Sequence, residues 1–125
     1  MTAPYRWPPG KRSAMMISID VDADTPLLWR TRSEGQLRYL AEWEQRQHGL
    51  RAGIAAILAV LARHDVSATF FVPGLVAERN PHLLPQLAQA GHEIGLHGYA
   101  HEAVRDISDT EFTEALDRSV ALIEA

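Results

Sequence analysis

Two short stretches hold most of the residues whose types and spacing could do chemistry. In IDVDAD, Asp20, Asp22 and Asp24 follow an apolar run; in GHEIGLHGYAHE, His97 and His101 stand four apart. Carboxylates as close as Asp20 and Asp22 repel, and one takes up a proton unless a cation or donor intervenes. Histidines four apart are separated by roughly 13 Å in an extended chain, too far to share an ion. In a helical turn their β-carbons come within about 5–6 Å, and Gly98 gives the chain freedom to turn there. Each stretch alone also has an ordinary explanation: a polar strand exit capping the next turn, or two loop histidines facing solvent.

Known local motifs do not settle the matter. D-x-D-x-D opens a calcium-binding loop, but Thr25 stands where that loop needs glycine and Thr31 where it needs a bidentate glutamate. The zinc-protease HExxH is absent too, since Gly98 follows His97 and Arg105 stands where a second histidine would follow His101-Glu102. With no cysteine in the chain, thiolate metal sites and disulfides are excluded, and a metal would have to use His, Asp or Glu.

The elements that must position these residues read as alternating strands and helices. The run Ala14–Ile19 (AMMISI) is continuous and apolar, as in a strand buried on both faces. The polar stretch from Val21 to about Gly49 is either a functional loop or carries its own helix, hinted at by Leu37, Leu40 and Trp43. Leu50, Ile54, Ile57, Leu58 and Leu61 then form one helical stripe. Ser67–Val72 (SATFFV), bounded by Pro73-Gly74, reads as a second buried strand. Asn80-Pro81 and Pro85 open a short helix that Gly91 ends, and His92–Leu96 is a third strand. Ser108-Asp109-Thr110-Glu111 has the form of a capping box. The helix it opens aligns Phe112, Ala115, Leu116, Ser119 and Leu122 or Ile123.

Strand–helix alternation of this kind predicts an α/β fold with a parallel sheet and right-handed crossovers. About three βα units fit the N-terminal part of a larger barrel-like domain. Residues 1–13 are expected to be a flexible leader and residues 14–125 the domain. The chain has 125 residues, 46% of them apolar, enough for a core, and a net charge of −4. That balance offers neither a basic stripe for nucleic acid nor a polybasic membrane patch. The six-residue apolar run before Asp20 is too short for a secretory or membrane segment, so a cytoplasmic protein is expected. Open sheet edges make a homo-oligomer a further expectation.

Sites in parallel α/β architectures assemble at the carboxyl ends of strands, where both polar clusters fall. Asp, His and His there would give three protein ligands with open positions for water, and a second carboxylate beside them would supply a base. The other histidines are weaker candidates. His48, His64 and His82 lie at helix ends or on helix surfaces, and His92 starts the third strand, at the opposite end from the site. Trp29 and Trp43 could line a substrate groove or simply cover the barrel mouth.

IDVDAD, SATFFVPG and GHEIGLHGYAHE, in this order and spacing, closely resemble the polysaccharide deacetylase family (carbohydrate esterase family 4-like). The nearest group is the peptidoglycan deacetylase and allantoinase-like branch, and the resemblance covers roughly Ile17 to Ile123. It implies a distorted (β/α) barrel, Asp20 as catalytic base, and Asp22, His97 and His101 as ligands of a divalent metal, with Zn²⁺ the expected ion. The family's later groove-shaping loops and its late general-acid histidine have no counterpart before Ala125, so a chain truncated at its C-terminus is expected.

The implied chemistry is hydrolysis of a non-peptide amide C–N bond by metal-activated water. Asp20 would take the water proton, and a backbone N–H near Tyr99 would help hold the oxyanion. An N-acetylated sugar or glycan is the substrate the family implies. A small cyclic amide, imide or ureide would suit a cytoplasmic member, and a non-catalytic carbohydrate-binding fragment is the alternative from another class.

Overall fold

The computed structural model describes residues 6–34 and 39–125. Strands β1 (Ser18–Asp20), β2 (Thr69–Val72) and β3 (Glu93–Leu96) form one parallel sheet in that order. Between them run helices α1 (Thr25–Arg30), α2 (Leu40–His48), α3 (Ile54–Arg63), α4 (Gly74–Arg79) and α5 (Leu83–Gln89), with α6 (Asp109–Ile123) after β3. The strand–helix alternation and the parallel sheet are those expected.

β2 lies between the other two strands, and the residues on one of its faces suit burial. Phe70 and Val72 are buried, and removing each from water is worth about 1.5–3 kcal/mol. Ile54 and Leu61 of α3 and Leu83 and Leu87 of α5 pack into the same core cluster. Ile57, Leu58 and Leu50 lie half-buried beside it, which makes the expected stripe real. Leu50 itself sits in a π-helical turn, Gly49–Gly53, that joins α2 to α3. The polar stretch after β1 therefore carries two helices, α1 and α2. Of its three hinting residues, Leu40 and Trp43 lie in α2, and Leu37 lies outside the described residues. Residues 1–5 of the expected leader also lie outside them, and 6–13 form no helix or strand.

Two expectations change. The run Ala14–Ile19 is not a strand buried on both faces: only Ser18–Asp20 pairs, and Met15 and Met16 are 82% and 83% exposed. β1 is an edge strand whose pairing with β2 begins at Ser18↔Thr69, so the methionines precede any partner. Pro73-Gly74 does more than end β2, because it opens α4, with Val76 and Ala77 in the core. On α6 the expected alignment is present: Phe112, Ala115, Leu116 and Ser119 line one cavity, with Ser119 buried and Phe112 and Leu116 45% and 39% exposed. That helix packs mainly on α4, and the described sheet ends at β3. Its capping box is present, with Ser108 accepting the Glu111 N–H and Glu111 accepting the Ser108 N–H. Among the described residues no helix is long and apolar enough to cross a membrane.

Candidate metal centre

Register brings the two polar clusters together. Asp20, Phe71 and Gly95 stand in one row across the sheet. Two residues beyond that row the chain reaches Asp22 on one side and His97 on the other. Phe71 fits between them because Gly95 has no side chain: a β-carbon there would lie 2.6 Å from the phenyl ring. That ring then packs against His97, with centroids 6.4 Å apart.

After β1 the chain turns sharply. Ala23 is left-handed at φ +50°, and the Thr25 hydroxyl and N–H both donate to the Asp22 carbonyl, at 2.7 and 3.1 Å. Asp24 faces away from the cluster. Its buried carboxylate accepts the Trp43 indole N–H at 2.9 Å and pairs with Arg79 at 3.5 Å, tying α2 and α4 to the turn. Trp43 is thus a structural brace. Trp29, half-buried with the Arg32 guanidinium 3.9 Å over its ring, lines a cavity of about 260 Å³ with Tyr99 and Glu102.

The histidine loop is held differently. Gly98 and His101 are left-handed, at φ +69° and +61°. For His101 such a backbone costs on the order of 1–3 kcal/mol and persists only where neighbours fix it. The N–H groups of Gly74 and Leu75, in the first turn of α4, donate to the carbonyls of Gly98 and Tyr99 at 3.0 and 2.7 Å, and the Ser119 hydroxyl donates to Gly98 at 3.1 Å. Gly74 must be glycine for this approach, since a β-carbon would lie 2.7 Å from both Ser119 Oγ and the Tyr99 ring. Tyr99 donates its hydroxyl to Glu78, and Arg118 both pairs with Glu78 and stacks 4.0 Å over the Tyr99 ring. Burial, with the Glu78 hydrogen bond adding to it, pushes the Tyr99 phenol up to about 12. The Tyr99 hydrogen bond, followed by that from Arg118, holds Glu78 below the usual carboxylate range. The expected oxyanion role of an N–H near Tyr99 does not fit: the Tyr99 and Ala100 N–H groups donate to the Glu102 carboxylate, at 3.0 and 2.7 Å.

The outcome is convergence. One donor atom each from Asp22, His97 and His101 lies within 4.8 Å of the others. His97 Nε2 is 3.2 Å from Asp22 Oδ1 and His101 Nε2 is 3.8 Å from Oδ2, the two rings meeting edge-on at 5.0 Å. Asp22 Oδ1 is buried and has no hydrogen-bond partner among the described residues, a state that ordinarily costs about 1–3 kcal/mol. Ligands at about 2.0–2.2 Å around a tetrahedral ion stand roughly 3.4 Å apart, so the spacing and the unpartnered oxygen both fit a divalent cation. Asp20 is not in this cluster. It is exposed at the end of β1 and lines a cavity of about 110 Å³ with Asp22. The remaining histidines lie elsewhere: His48, His64 and His82 are exposed at helix ends. His92 accepts the Ala68 N–H at 3.3 Å and packs on Phe70, as befits a strand-start residue.

Carboxylate and imidazole donors thus converge at the carboxyl ends of a parallel α/β sheet, where the sites of (β/α) barrels lie. The chain matches the polysaccharide deacetylase family over residues 46–125, more than half its length, and belongs to that family. A Mycobacterium smegmatis crystal structure assigned to the polysaccharide deacetylases superposes with a TM-score of 0.86 at 34% identity, covering 98% of this chain and 42% of that one. The peptidoglycan deacetylase-like protein of Gibberella zeae is 27% identical over 119 residues, 94% of this chain and 35% of the relative, a span that includes both polar clusters. The peptidoglycan-N-acetylglucosamine deacetylase of Bacillus cereus is 33% identical over 67 residues, 54% of this chain and 24% of the relative. The chain thus spans about a third of the Gibberella protein's length. The fold is that of these deacetylases, with three βα units of a (β/α) barrel present.

Proposed function

We propose that this chain carries the metal-binding half of a hydrolase that removes the acetyl group from the nitrogen of an N-acetylated sugar or glycan. One observation carries the reading: Asp22, His97 and His101 converge around a buried carboxylate oxygen that has no hydrogen-bond partner among the described residues. Those three residues would hold the divalent cation, and an oxygen–imidazole donor set suits zinc. When bound, the ion supplies Lewis acidity to the acyl carbonyl and lowers the pKa of a water.

The chain's own residues supply the rest. Asp20 would accept the proton of the attacking water as general base, a role supported by its exposure beside Asp22. Asp22 presents its two oxygens toward the two imidazoles. The hydrogen bonds from α4 and Ser119 hold the backbone of the histidine loop, which supports a ligand role for its two imidazoles. The peptidoglycan N-acetylglucosamine deacetylase among its relatives supports the acetylated-sugar substrate over a cyclic ureide.

Elemental analysis and acetate release from N-acetylglucosamine oligomers, with a cyclic ureide as the comparison substrate, test this. The wild type is expected to carry about one cation per chain. Asp22→Asn and His97→Ala should lose it. Asp20→Asn should keep the cation and, in a protein that joins this chain to the rest of the barrel, lose about 10²–10⁴-fold in acetate release. A wild-type rate in Asp20→Asn would sink the base assignment, and ring opening of the ureide without acetate release would replace the substrate class.

A further inference from the structure

We infer that Glu102 is a positioning residue for the two histidines: its carboxylate fixes the backbone between the imidazoles and thereby sets the affinity of the centre for its cation. This rests on the metal reading of the Asp22 cluster given above.

Three residues, Gly98, Tyr99 and Ala100, separate His97 from His101. Their carbonyl side is held from outside by α4 and Ser119. Their amide side is held from within. Glu102 Oε2 accepts the Tyr99 N–H at 3.0 Å and Oε1 accepts the Ala100 N–H at 2.7 Å, one oxygen for each donor. Carboxylate acceptors make stronger bonds than neutral ones, and only an acidic side chain offers two equivalent acceptors in this fork. The side chain closes a ring over residues 99–102, and the left-handed His101 lies inside that ring. Reversing direction at His101 is what brings its Nε2 back toward Asp22.

Gly98 gains a second reason to be glycine. Beyond its positive φ, a β-carbon there would stand 2.8 Å from Glu102 Oε2, where the carboxylate must sit. Without the clamp, two amides would lose their acceptors and the left-handed His101 its restraint. The spacing of the two imidazoles would then broaden, and a ligand set that is not preorganised binds its ion more weakly.

The test is a titration of the whole chain with Zn²⁺ against a competing chromogenic chelator, alongside the thermal midpoint measured without metal. Glu102→Ala is expected to weaken Zn²⁺ binding about 10- to 100-fold, the range of second-layer substitutions at metal sites. Glu102→Gln keeps one acceptor but turns a donor toward the other amide, so its affinity should fall between the two. If Glu102→Ala does not fold, the Gln variant carries the same expectation of weakened binding. Amide exchange at Tyr99 and Ala100 should be slow in the wild type and fast in Glu102→Ala. A lower midpoint with unchanged Zn²⁺ affinity in these variants would make Glu102 merely structural and overturn the inference. A folded wild type that takes up no Zn²⁺ would overturn the metal reading itself, an outcome seen before any Glu102 variant is compared.

Discussion

The two sides of the centre are built on opposite plans. The carboxylate side is a short turn anchored by burial: Val21 is in the core, Thr25 closes the turn onto Asp22, and buried Asp24 binds Trp43 and Arg79. The histidine side holds its shape with hydrogen bonds from three elements: α4, α6 and its own Glu102. Two of its five residues are left-handed. The carboxylate turn meets its remote partners, Trp43 and Arg79, through the side chain of Asp24, two residues past Asp22. The histidine loop meets its partners through the backbone between the two ligands, so changes in those partners reach the metal ligands.

The sharpest way to break the contrast is at Gly74, which touches the histidine loop but no ligand. Gly74→Ala would drive a methyl to 2.7 Å from Ser119 Oγ and the Tyr99 ring. Overpacking of this kind costs about 1–3 kcal/mol. The expected outcome is a lower denaturation midpoint together with weakened Zn²⁺ binding, as the Gly98 and Tyr99 carbonyls lose their α4 donors. An unchanged Zn²⁺ affinity in a destabilised variant would show that α4 supports the fold without shaping the centre.

The carboxylate side should give the converse. Asp24→Asn keeps an acceptor for the Trp43 indole but removes the charge facing Arg79, whose side chain is 51% exposed. Exposed partners make such pairs weak, so a loss of about 1 kcal/mol is expected, with Zn²⁺ affinity preserved because Asp24 faces away from the cluster. Urea denaturation and the same chelator competition measure both. Zn²⁺ affinity falling more in Asp24→Asn than in Gly74→Ala would reverse the comparison.

How much of this was legible depends on the range of the contacts. That an aspartate after β1 meets His97 and His101 was readable, because parallel strands put their carboxyl ends on one side; that it is Asp22 and not Asp20 was what the family resemblance implied. His92 as a strand-start residue was readable for the same reason. The capping box at Ser108 was readable because it spans four residues. α4 was not: Pro73-Gly74 has the composition of a turn, and glycine is there for close packing against Ser119, 45 positions later in the chain. Nor was the exposure of Met15 and Met16, since composition marks a strand as apolar but not where its partner begins. Glu102 sat beside His101 in plain view. Its role was hidden because accepting two amides is a property of the folded loop, not of the spacing.

The smallest effect expected sits at Tyr99 and separates the two sides by pH. Its phenol is raised from 10.0 to about 12 in the folded chain, so the folded state keeps a proton that the unfolded state has given up. That contribution is present in full below about pH 10 and is lost as pH rises toward 12, because over that window the unfolded chain binds fewer protons. Tyr99→Phe keeps the ring under Arg118 but deletes the hydroxyl that Glu78 accepts. The wild-type unfolding midpoint should therefore fall more steeply than that of Tyr99→Phe between pH 10 and 12, while Asp24→Asn, which leaves the histidine loop alone, should keep the wild-type slope. Parallel slopes for wild type and Tyr99→Phe would show that neither the burial of the phenol nor its bond to Glu78 couples to folding. The histidine loop would then be held by its backbone hydrogen bonds alone.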